Sequence, residues 1–339
     1  MISGINVAQH QDYSFTWHMQ RYAQDKMALI ETPRGFLSGT QELDEDWMNK
    51  VISVNGQIGW LGSNGRPDCA AAHSITWCNQ TVKQSKSTEV KHRVWVIPVV
   101  DLRFVVFTDS SFDPKGERHQ QGWIIGYTNK YLNQNRKAPV SMALWRSRKL
   151  PRKAGSPQLV ETYAASFAAA EWNSVTCLLL SALFSEFDIV LQRLKHWKTP
   201  SRAATMLRTD RPEVQDPLCT LITDSKGVYD ALNNELPQND KKSAVEIPII
   251  EQLMMHMFGR CRWVPHNYNP SDALTKIKGA HPQPCLDLMS SGMYHLKTES
   301  ANLAERAAEK EKTGRKVRNE NKFQSQKLIV GRGARTSPS

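Results

Sequence analysis

The chain of 339 residues lacks several features that would assign it to a well-defined class of protein. Its six cysteines are scattered and form no Cys-x-x-Cys pair, which argues against a zinc site or a disulfide scaffold and fits a reducing compartment. The densest apolar stretch, residues 177–184, is far shorter than the roughly 18–20 residues that cross a bilayer. The N-terminus carries no basic-then-apolar secretion signal. We therefore expect an intracellular protein, cytoplasmic or nuclear, with no membrane partner.

The composition does provide a core and an excess of positive charge. Apolar residues make up 40% of the chain, which excludes a wholly disordered protein, and the formal net charge is +11. The length suits two domains at roughly 100–200 residues each. Ten Lys or Arg against four Glu fall in the last 39 residues, where large apolar residues are few. We predict that residues 281–339 are a disordered basic tail, and a solvated terminus without a partner explains the same composition.

Two basic stretches in the body of the chain indicate a nucleic-acid surface. The first lies beside Trp145 and comprises Arg146, Arg148, Lys149, Arg152 and Lys153. The second spans residues 193–211 and contains Trp197. Basic and aromatic side chains together suit a phosphate backbone and its bases. A solvated loop with a half-buried tryptophan is an equally good explanation of the second stretch.

The hydrophobic pattern predicts an α/β fold from residue 99 onward. Runs of β-branched and aromatic residues predict strands at 104–108, 122–127, 141–145, 218–223 and 261–265. Ser156 followed by Pro157 predicts the start of a helix to residue 184, and further helices are predicted at 225–233, at 245–258 and from Asn269. This order predicts a mixed five-stranded sheet flanked by helices, with the first three strands antiparallel. Residues 1–98 have helical spacing at 47–58 and 67–76, which predicts a small helical region.

Four carboxylates stand where these elements begin or end. Asp109 and Asp224 each end a predicted strand, while Glu161 lies one turn into an Ala-rich helix and Asp272 in the first turn of the last helix. Each alone has an ordinary explanation as a turn, cap or helix N-terminal residue. As a set they would converge on one sheet edge, where like charges repel unless cations bridge them. The set predicts two Mg²⁺ ions, with Mn²⁺ as an alternative, of the kind used in phosphodiester cleavage.

Five short segments occur in an order and at a spacing that resemble one known family. They read FTDSSF at 107–112, LWRSRK at 144–149, ETYA at 161–164, TDSK at 223–226 and NPSDALTK at 269–276. With them the chain resembles the ribonuclease H domain of copia-type retrotransposon polyproteins. NGQIGWL at 55–61 and GRPD at 65–68 resemble the segment after the reverse-transcriptase palm. Residues 1–98 are then expected to be a thumb or connection remnant, and the chain contains no Tyr-x-Asp-Asp polymerase motif.

The resemblance implies a ribonuclease H-like domain at 99–280 that hydrolyses the RNA strand of RNA–DNA hybrids. The metal ligands that carry over are Asp109, Glu161, Asp224 and Asp272. His266 matches a histidine that assists proton transfer or product release, and a solvated loop histidine is the alternative. The implied partners are an RNA–DNA hybrid and the rest of a reverse transcriptase.

Some residues depart from the family pattern. The segment 181–217 is longer than the family needs, QLV at 158–160 lacks a second acidic residue, and Glu171 competes with Glu161 for the ligand role. These departures leave open an inactive copy that only binds nucleic acid. Glu161 stands between Asp109 and Asp224 in the chain, whereas an integrase site needs its Glu after the second Asp. The first strand also lacks the Asp-x-Glu of a proofreading exonuclease.

Overall fold

A computed structural model describes residues 5–30, 45–75, 79–87, 89–113, 119–183, 217–233, 241–276, 281–305 and 307–308. Met1–Leu296 form one compact unit and Lys297–Ser339 a second. The second basic stretch, nearly all of the segment 181–217 and most of the predicted tail lie outside the described residues. Within the described ranges, no helix combines the length and the apolarity that a membrane span needs.

The N-terminal region of the first unit contains a small sheet and four helices. Its antiparallel strands pair in the order β1 (Asn6–Gln9), β2 (Phe15–His18) and β3 (His92–Val94). Its helices are α1 (Gln20–Lys26), α2 (Glu45–Asn64), α3 (Pro67–Ile75) and α4 (Asn79–Ser87). The helices predicted at 47–58 and 67–76 are confirmed, whereas the three strands were not predicted. Each of these strands has only three or four residues, too few for a clear alternating pattern.

The central sheet contains six strands rather than the five predicted. They are β4 (Leu102–Ser111), β5 (Gln120–Asn129), β6 (Lys137–Lys149), β7 (Cys219–Thr223), β8 (Gly259–Trp263) and β9 (Met293–His295). Their spatial order is β8-β7-β4-β5-β6-β9, and β4, β5 and β6 are antiparallel neighbours while β7 and β8 run parallel to β4. The mixed sheet with three leading antiparallel strands is therefore confirmed. The sixth strand, β9, is a short edge strand that pairs with residues 137–139.

Helices pack on both faces of this sheet. One face holds α5 (Pro157–Leu183), α6 (Lys226–Asn233) and α7 (Ser243–His256), and the other holds α8 (Gln283–Ser291). Helix α5 lies close to the sheet because its inward residues are small; Ala165 and Ala168 are fully buried against Phe104 and Val106. Ser156 accepts a hydrogen bond of 3.2 Å from the backbone N–H of Leu159, which is the predicted N-cap.

Two predicted segments differ from the structure. The helix predicted from Asn269 is a short 3₁₀ helix, Pro270–Leu274. The start of the predicted disordered tail is wrong for residues 283–295, which form α8 and β9. The reason is a short apolar stripe, in which Cys285, Leu288 and Met289 have helical spacing and are buried against the sheet. The helix has only nine residues, so its apolar pattern is outweighed by the polar composition of the residues after it, and the whole segment is predicted to be disordered.

Candidate metal centre

Three carboxylates from three elements meet where strand β4 ends beside β7. Asp109 belongs to β4, Asp224 directly follows β7, and Glu161 lies one turn into α5. The two strands are parallel, with Thr108 opposite Thr223, so the aspartates that follow these residues lie side by side. One ligand oxygen from each of the three carboxylates lies within 4.8 Å of the others. The sheet edge predicted from the sequence is thus where these three side chains come together.

Asp272 joins this cluster through a lysine. The Nζ atom of Lys276 lies 3.1 Å from both carboxylate oxygens of Asp109 and 2.9 Å from Oδ1 of Asp272. Thr275 also donates its hydroxyl to Asp109. His281 lies on the other side, with Nδ1 2.9 Å from Oδ2 of Asp272. One ammonium therefore bridges two of the four predicted ligands.

The 3₁₀ helix that carries Asp272 is anchored to the sheet by its first residues. Asn269 donates from Nδ2 to the carbonyl of Thr108 at 2.9 Å, and its Oδ1 accepts the N–H and the hydroxyl of Ser271. Gly122 on β5 permits the close approach, because a Cβ at that position would lie 2.5 Å from Cβ of Leu274. Asn269 thus acts both as the N-cap of the 3₁₀ helix and as its anchor to β4.

Burial and mutual repulsion change the protonation of the cluster. The pKa values of Glu161 and Asp224 are well above their ordinary range, first because both are buried and second because Asp109 is close. The same two causes raise the pKa of Asp272 to about 7, against the opposing effect of Lys276. Burial lowers the pKa of Lys276, but the surrounding carboxylates outweigh it and raise the value overall.

The cluster contains the donor atoms that a hard divalent cation requires. Glu161 Oε2 and Asp224 Oδ1 are buried and have no hydrogen-bond partner in the described part of the chain. Such orphaned polar atoms are rare in folded proteins because leaving them unpaired is costly. Mg²⁺ prefers carboxylate oxygens and usually retains several waters. Asp109, Glu161 and Asp224 therefore fit as its ligands.

Two other predicted participants lie away from the carboxylates. His266 is exposed on a short 3₁₀ helix, and its ring forms no hydrogen bond with a described residue. Glu171 accepts a hydrogen bond of 2.9 Å from Nε1 of Trp123 and forms a 3.2 Å ion pair with Arg146. Glu171 therefore does not compete for the metal. Among the described histidines, His281 is the one that contacts a predicted ligand, and it could not be predicted because it falls in the segment expected to be a disordered tail.

Part of the first basic stretch is paired within the protein. Arg146 contacts Glu171, and the guanidinium of Arg148 lies 4.9 Å from the ring centre of Trp123 and 4.8 Å from that of Phe167. Both arginines line a cleft of about 370 Å³ beside strand β6. Both arginine side chains are exposed, but the charge of Arg146 is already paired with Glu171.

The rest of the stretch continues past the end of β6. Arg152 pairs with Glu246 and lies 5.2 Å from the ring centre of Tyr163. Lys149 and Lys153 are exposed and form no ion pair with a described residue. The two lysines are thus the members of the stretch whose charge is least compensated.

Comparison with known proteins gives matches only among solved structures. No protein-family model and no curated protein sequence matches the chain. RNase H1 from the halophilic archaeon Halobacterium salinarum NRC-1 matches with a TM-score of 0.31 and 14% identity, over 51% of this chain and 93% of that chain. The N-terminal RNase H domain of a Mycobacterium tuberculosis protein, solved as a fusion with maltose-binding protein, matches with a TM-score of 0.31 and 8% identity, over 55% and 96% of the two chains.

The fold class is defined by the strand order of the central sheet and by the positions of its acidic residues. Three antiparallel strands lead into two parallel ones, and the acidic residues stand at the ends of the two adjacent parallel strands β4 and β7. The body of the chain therefore has a ribonuclease H-like α/β fold.

Proposed function

We propose that this chain is a metal-dependent ribonuclease H that hydrolyses the RNA strand of RNA–DNA hybrids as part of a copia-type retroelement. The observation that carries the proposal is the cluster of Asp109, Glu161 and Asp224, with two buried oxygens that lack a partner among the described residues. Asp272 is the proposed fourth ligand. The segments that resemble copia-type polyproteins support the hybrid as substrate and the rest of a reverse transcriptase as partner.

The residues of the cluster have separate tasks in this proposal. Two Mg²⁺ ions, or Mn²⁺, bound here would stabilise the charge on the attacking and leaving oxygens of the phosphodiester. Asp109, whose charge acts on each of the other three carboxylates, would hold these ions together with Glu161 and Asp224. The Ser110 side chain favours the charged form of Glu161, against the effects of burial and of the neighbouring acids on its pKa. Since the cluster is buried at the sheet edge, the protein holds these oxygens in place before the substrate arrives.

A histidine completes the proposed site. His266 is the residue expected from the sequence, but the contact with Asp272 makes His281 the better candidate for moving a proton. Burial and the nearby Lys276 lower the pKa of His281, so its ring is mainly neutral near pH 7. With its proton on Nδ1 toward Asp272, the ring has Nε2 available as a proton acceptor. Alanine variants of the two histidines should differ, with the pH–rate profile changed only for His281→Ala.

The exposed lysines of the first basic stretch are the proposed phosphate contacts. Lys149 and Lys153 carry the least compensated charge, and Arg146, Arg148 and Arg152 lie beside them. Each lysine that contacts a phosphate should reduce the dependence of log affinity on log salt by about 1 when it is replaced by alanine. Hybrid binding measured at several salt concentrations tests this. An unchanged slope in both lysine variants would remove them from the interface.

The central test is cleavage of a labelled RNA–DNA hybrid in Mg²⁺. We expect the wild type to cut the RNA strand and Asp109→Asn and Asp224→Asn to lose about 10²-fold or more of the rate. Asp230→Asn is the matched control, because its carboxylate pairs with Lys226 on α6 outside the cluster. Equal rates in all four proteins would show that a contaminating nuclease is responsible.

A nucleic-acid-binding protein without activity is the second candidate function. Lys276 favours it, because its ammonium already neutralises part of the charge that would hold a metal. Salt-sensitive binding of the hybrid without any cleavage, unchanged in Asp109→Asn, would establish this alternative.

A further inference from the structure

The carboxylate cluster has two unlike sides. On one side, Glu161 Oε2 and Asp224 Oδ1 are buried without a hydrogen-bond partner among the described residues. On the other, both oxygens of Asp109 and one of Asp272 already contact an ammonium. One half of the cluster therefore contacts a cationic side chain, whereas no described cationic side chain contacts the other half.

The contacts of this ammonium resemble those of a metal ion. Lys276 has three N–H donors and makes three contacts of 2.9–3.1 Å, all to carboxylate oxygens. The carboxylates of Asp109 and Asp272 are 0% and 1% exposed, whereas the lysine side chain is 27% exposed. The backbone N–H of Lys276 also donates a 3.1 Å hydrogen bond to the carbonyl of Asp272. Because the two carboxylates are buried and the lysine side chain is partly exposed, its aliphatic stem reaches the acids from the solvent side.

We propose that Lys276 is an internal cation that occupies the Asp109–Asp272 side of the metal-free site and has to be displaced when a metal ion binds there. This inference rests on the proposed function, because it assumes that the carboxylates hold metal. The first ion then binds on the Glu161–Asp224 side, where no described cationic side chain forms an ion pair with the carboxylates. The second ion binds more weakly, because it must separate an ammonium from two buried carboxylates. Lys276 thus sets both the order of the two ions and the weaker of their affinities.

Titration calorimetry with MgCl₂ tests this directly, with no need for activity. The variant is Lys276→Met, which keeps the unbranched stem and removes the charge. We expect the wild type to show a tighter and a weaker site, and the weaker one to become about tenfold tighter or more in the variant. Thermal melting in EDTA should show the reverse effect, a lower melting temperature for the variant, which MgCl₂ then restores. The matched control is Lys130→Met, because Lys130 forms a 3.0 Å ion pair with Asp101 and is 30% exposed, but lies at the opposite end of β4 and β5.

The outcomes separate the two proposals. Metal binding that is the same in wild type and Lys276→Met would overturn the role of Lys276 and leave the metal-dependent nuclease standing. Metal binding in neither protein would overturn both. If Lys276→Met does not fold, the wild-type protein can be tested instead. A lysine that Mg²⁺ displaces from the carboxylates becomes more reactive toward an acetylating reagent. Acetylation followed by mass spectrometry should then be faster at Lys276 in MgCl₂ and unchanged at Lys130, and equal rates at Lys276 with and without MgCl₂ would overturn the inference.

Discussion

Two buried charged clusters in the first unit are built on opposite principles. In the N-terminal region Arg66 and Asp68 form a two-point ion pair, with Nε to Oδ1 at 2.9 Å and Nη2 to Oδ2 at 2.8 Å. Their side chains are only 3% and 1% exposed. Beside β4 the burial of Asp109 and Asp272 is similar, but these two carboxylates share a single ammonium, and Glu161 and Asp224 lie close by without an ion pair to a described residue. One cluster is balanced by the protein itself, and the other has an excess of negative charge.

The surroundings of the balanced pair indicate a structural role. Nε2 of His92 donates a 2.8 Å hydrogen bond to the carbonyl of Gly65, and burial lowers the pKa of His92 to about 4. Its ring stacks with Trp17, 4.1 Å away, and with Trp145, 5.2 Å away, and the two tryptophan rings lie 6.2 Å from each other. Trp145 in turn donates to the carbonyl of Gly62 at 2.7 Å. The turn between α2 and α3 is thereby joined to strand β6 of the central sheet.

The difference teaches how to separate a structural charge from a functional one. A buried charge with a matched partner can remain in place without any ligand, although it adds little to stability. A buried group of like charges cannot, so its carboxylates hold their protons to higher pH or bind a cation. Neutralising one acid should therefore have opposite effects in the two clusters.

The largest effect is expected from breaking the balanced pair. Asp68→Asn leaves the buried guanidinium of Arg66 without its counter-charge, which should lower the free energy of unfolding by about 3–5 kcal/mol. Urea unfolding measures this loss. The control is Asp46→Asn, because Asp46 forms an exposed ion pair with Lys50 on α2 and should cost no more than about 1 kcal/mol. A similar small loss in both variants would contradict the structural role of the pair.

A smaller effect of the opposite sign is expected in the unbalanced cluster. Glu161→Gln removes one of the repelling charges, so the metal-free protein should gain on the order of 1 kcal/mol of unfolding free energy. Urea unfolding in EDTA measures the gain, which MgCl₂ should abolish, because the variant has lost a proposed ligand. Glu171→Gln is the control on the same helix and should lose stability slightly, since Glu171 pairs with Arg146. Destabilisation of the metal-free protein by Glu161→Gln would count against like-charge repulsion.

The unbalanced cluster should also make stability depend on pH. The pKa of Asp272 is about 7 in the folded protein and 3.8 ordinarily, so between these values the folded state holds a proton that the unfolded state has lost. Unfolding then releases a proton, and the stability of the metal-free protein should fall as pH rises from about 4 to 7. Melting temperatures in EDTA across this window should fall by a few degrees.

Two variants identify the groups behind this slope. Asp272→Asn should flatten it. His281→Ala should steepen it, because the pKa of His281 is lowered and its titration works in the opposite direction. A slope that is unchanged in Asp272→Asn would assign the pH dependence to other groups.

The smallest effect concerns a neutral group beside the balanced pair. Trp145→Phe keeps an aromatic ring against His92 but leaves the carbonyl of Gly62 without its donor, which should cost about 0.5–1.5 kcal/mol of unfolding free energy. Urea unfolding next to Asp68→Asn ranks the two changes. A larger loss of unfolding free energy in Trp145→Phe than in Asp68→Asn would show that the ion pair is not the main interaction that stabilises this region.

The sequence predicts the acids better than the groups that surround them. Asp109 and Asp224 are visible because a carboxylate at the end of a buried strand needs an explanation, and Glu161 because small residues follow it on its helix. Lys276 and His281 could not be predicted, since their contacts depend on how a short 3₁₀ helix is anchored to β4 through Asn269.

The same limit applies to the N-terminal region. The sequence GRPD at 65–68 does not indicate that Arg66 and Asp68 are buried together, because charged residues two positions apart are common on protein surfaces. Strand β9 was missed for a related reason: three residues carry no period, and only pairing with residues 137–139 defines the strand. The main sheet was predictable because its long strands carry a strong local signal of their own.

The outer edge of the long strand β6 is covered by two separate parts of the chain. This strand has 13 residues and pairs along most of its length with β5, while β9 covers only residues 137–139 on its outer side. The N-terminal region covers the same side farther along, where the backbone N–H of Trp95 donates a 2.8 Å hydrogen bond to Oγ of Ser141 and α3 packs on the strand. An uncovered edge of this length is a template for strand addition by another chain. A fragment that begins at residue 99 would expose that edge, and we expect it to aggregate more readily than the full chain.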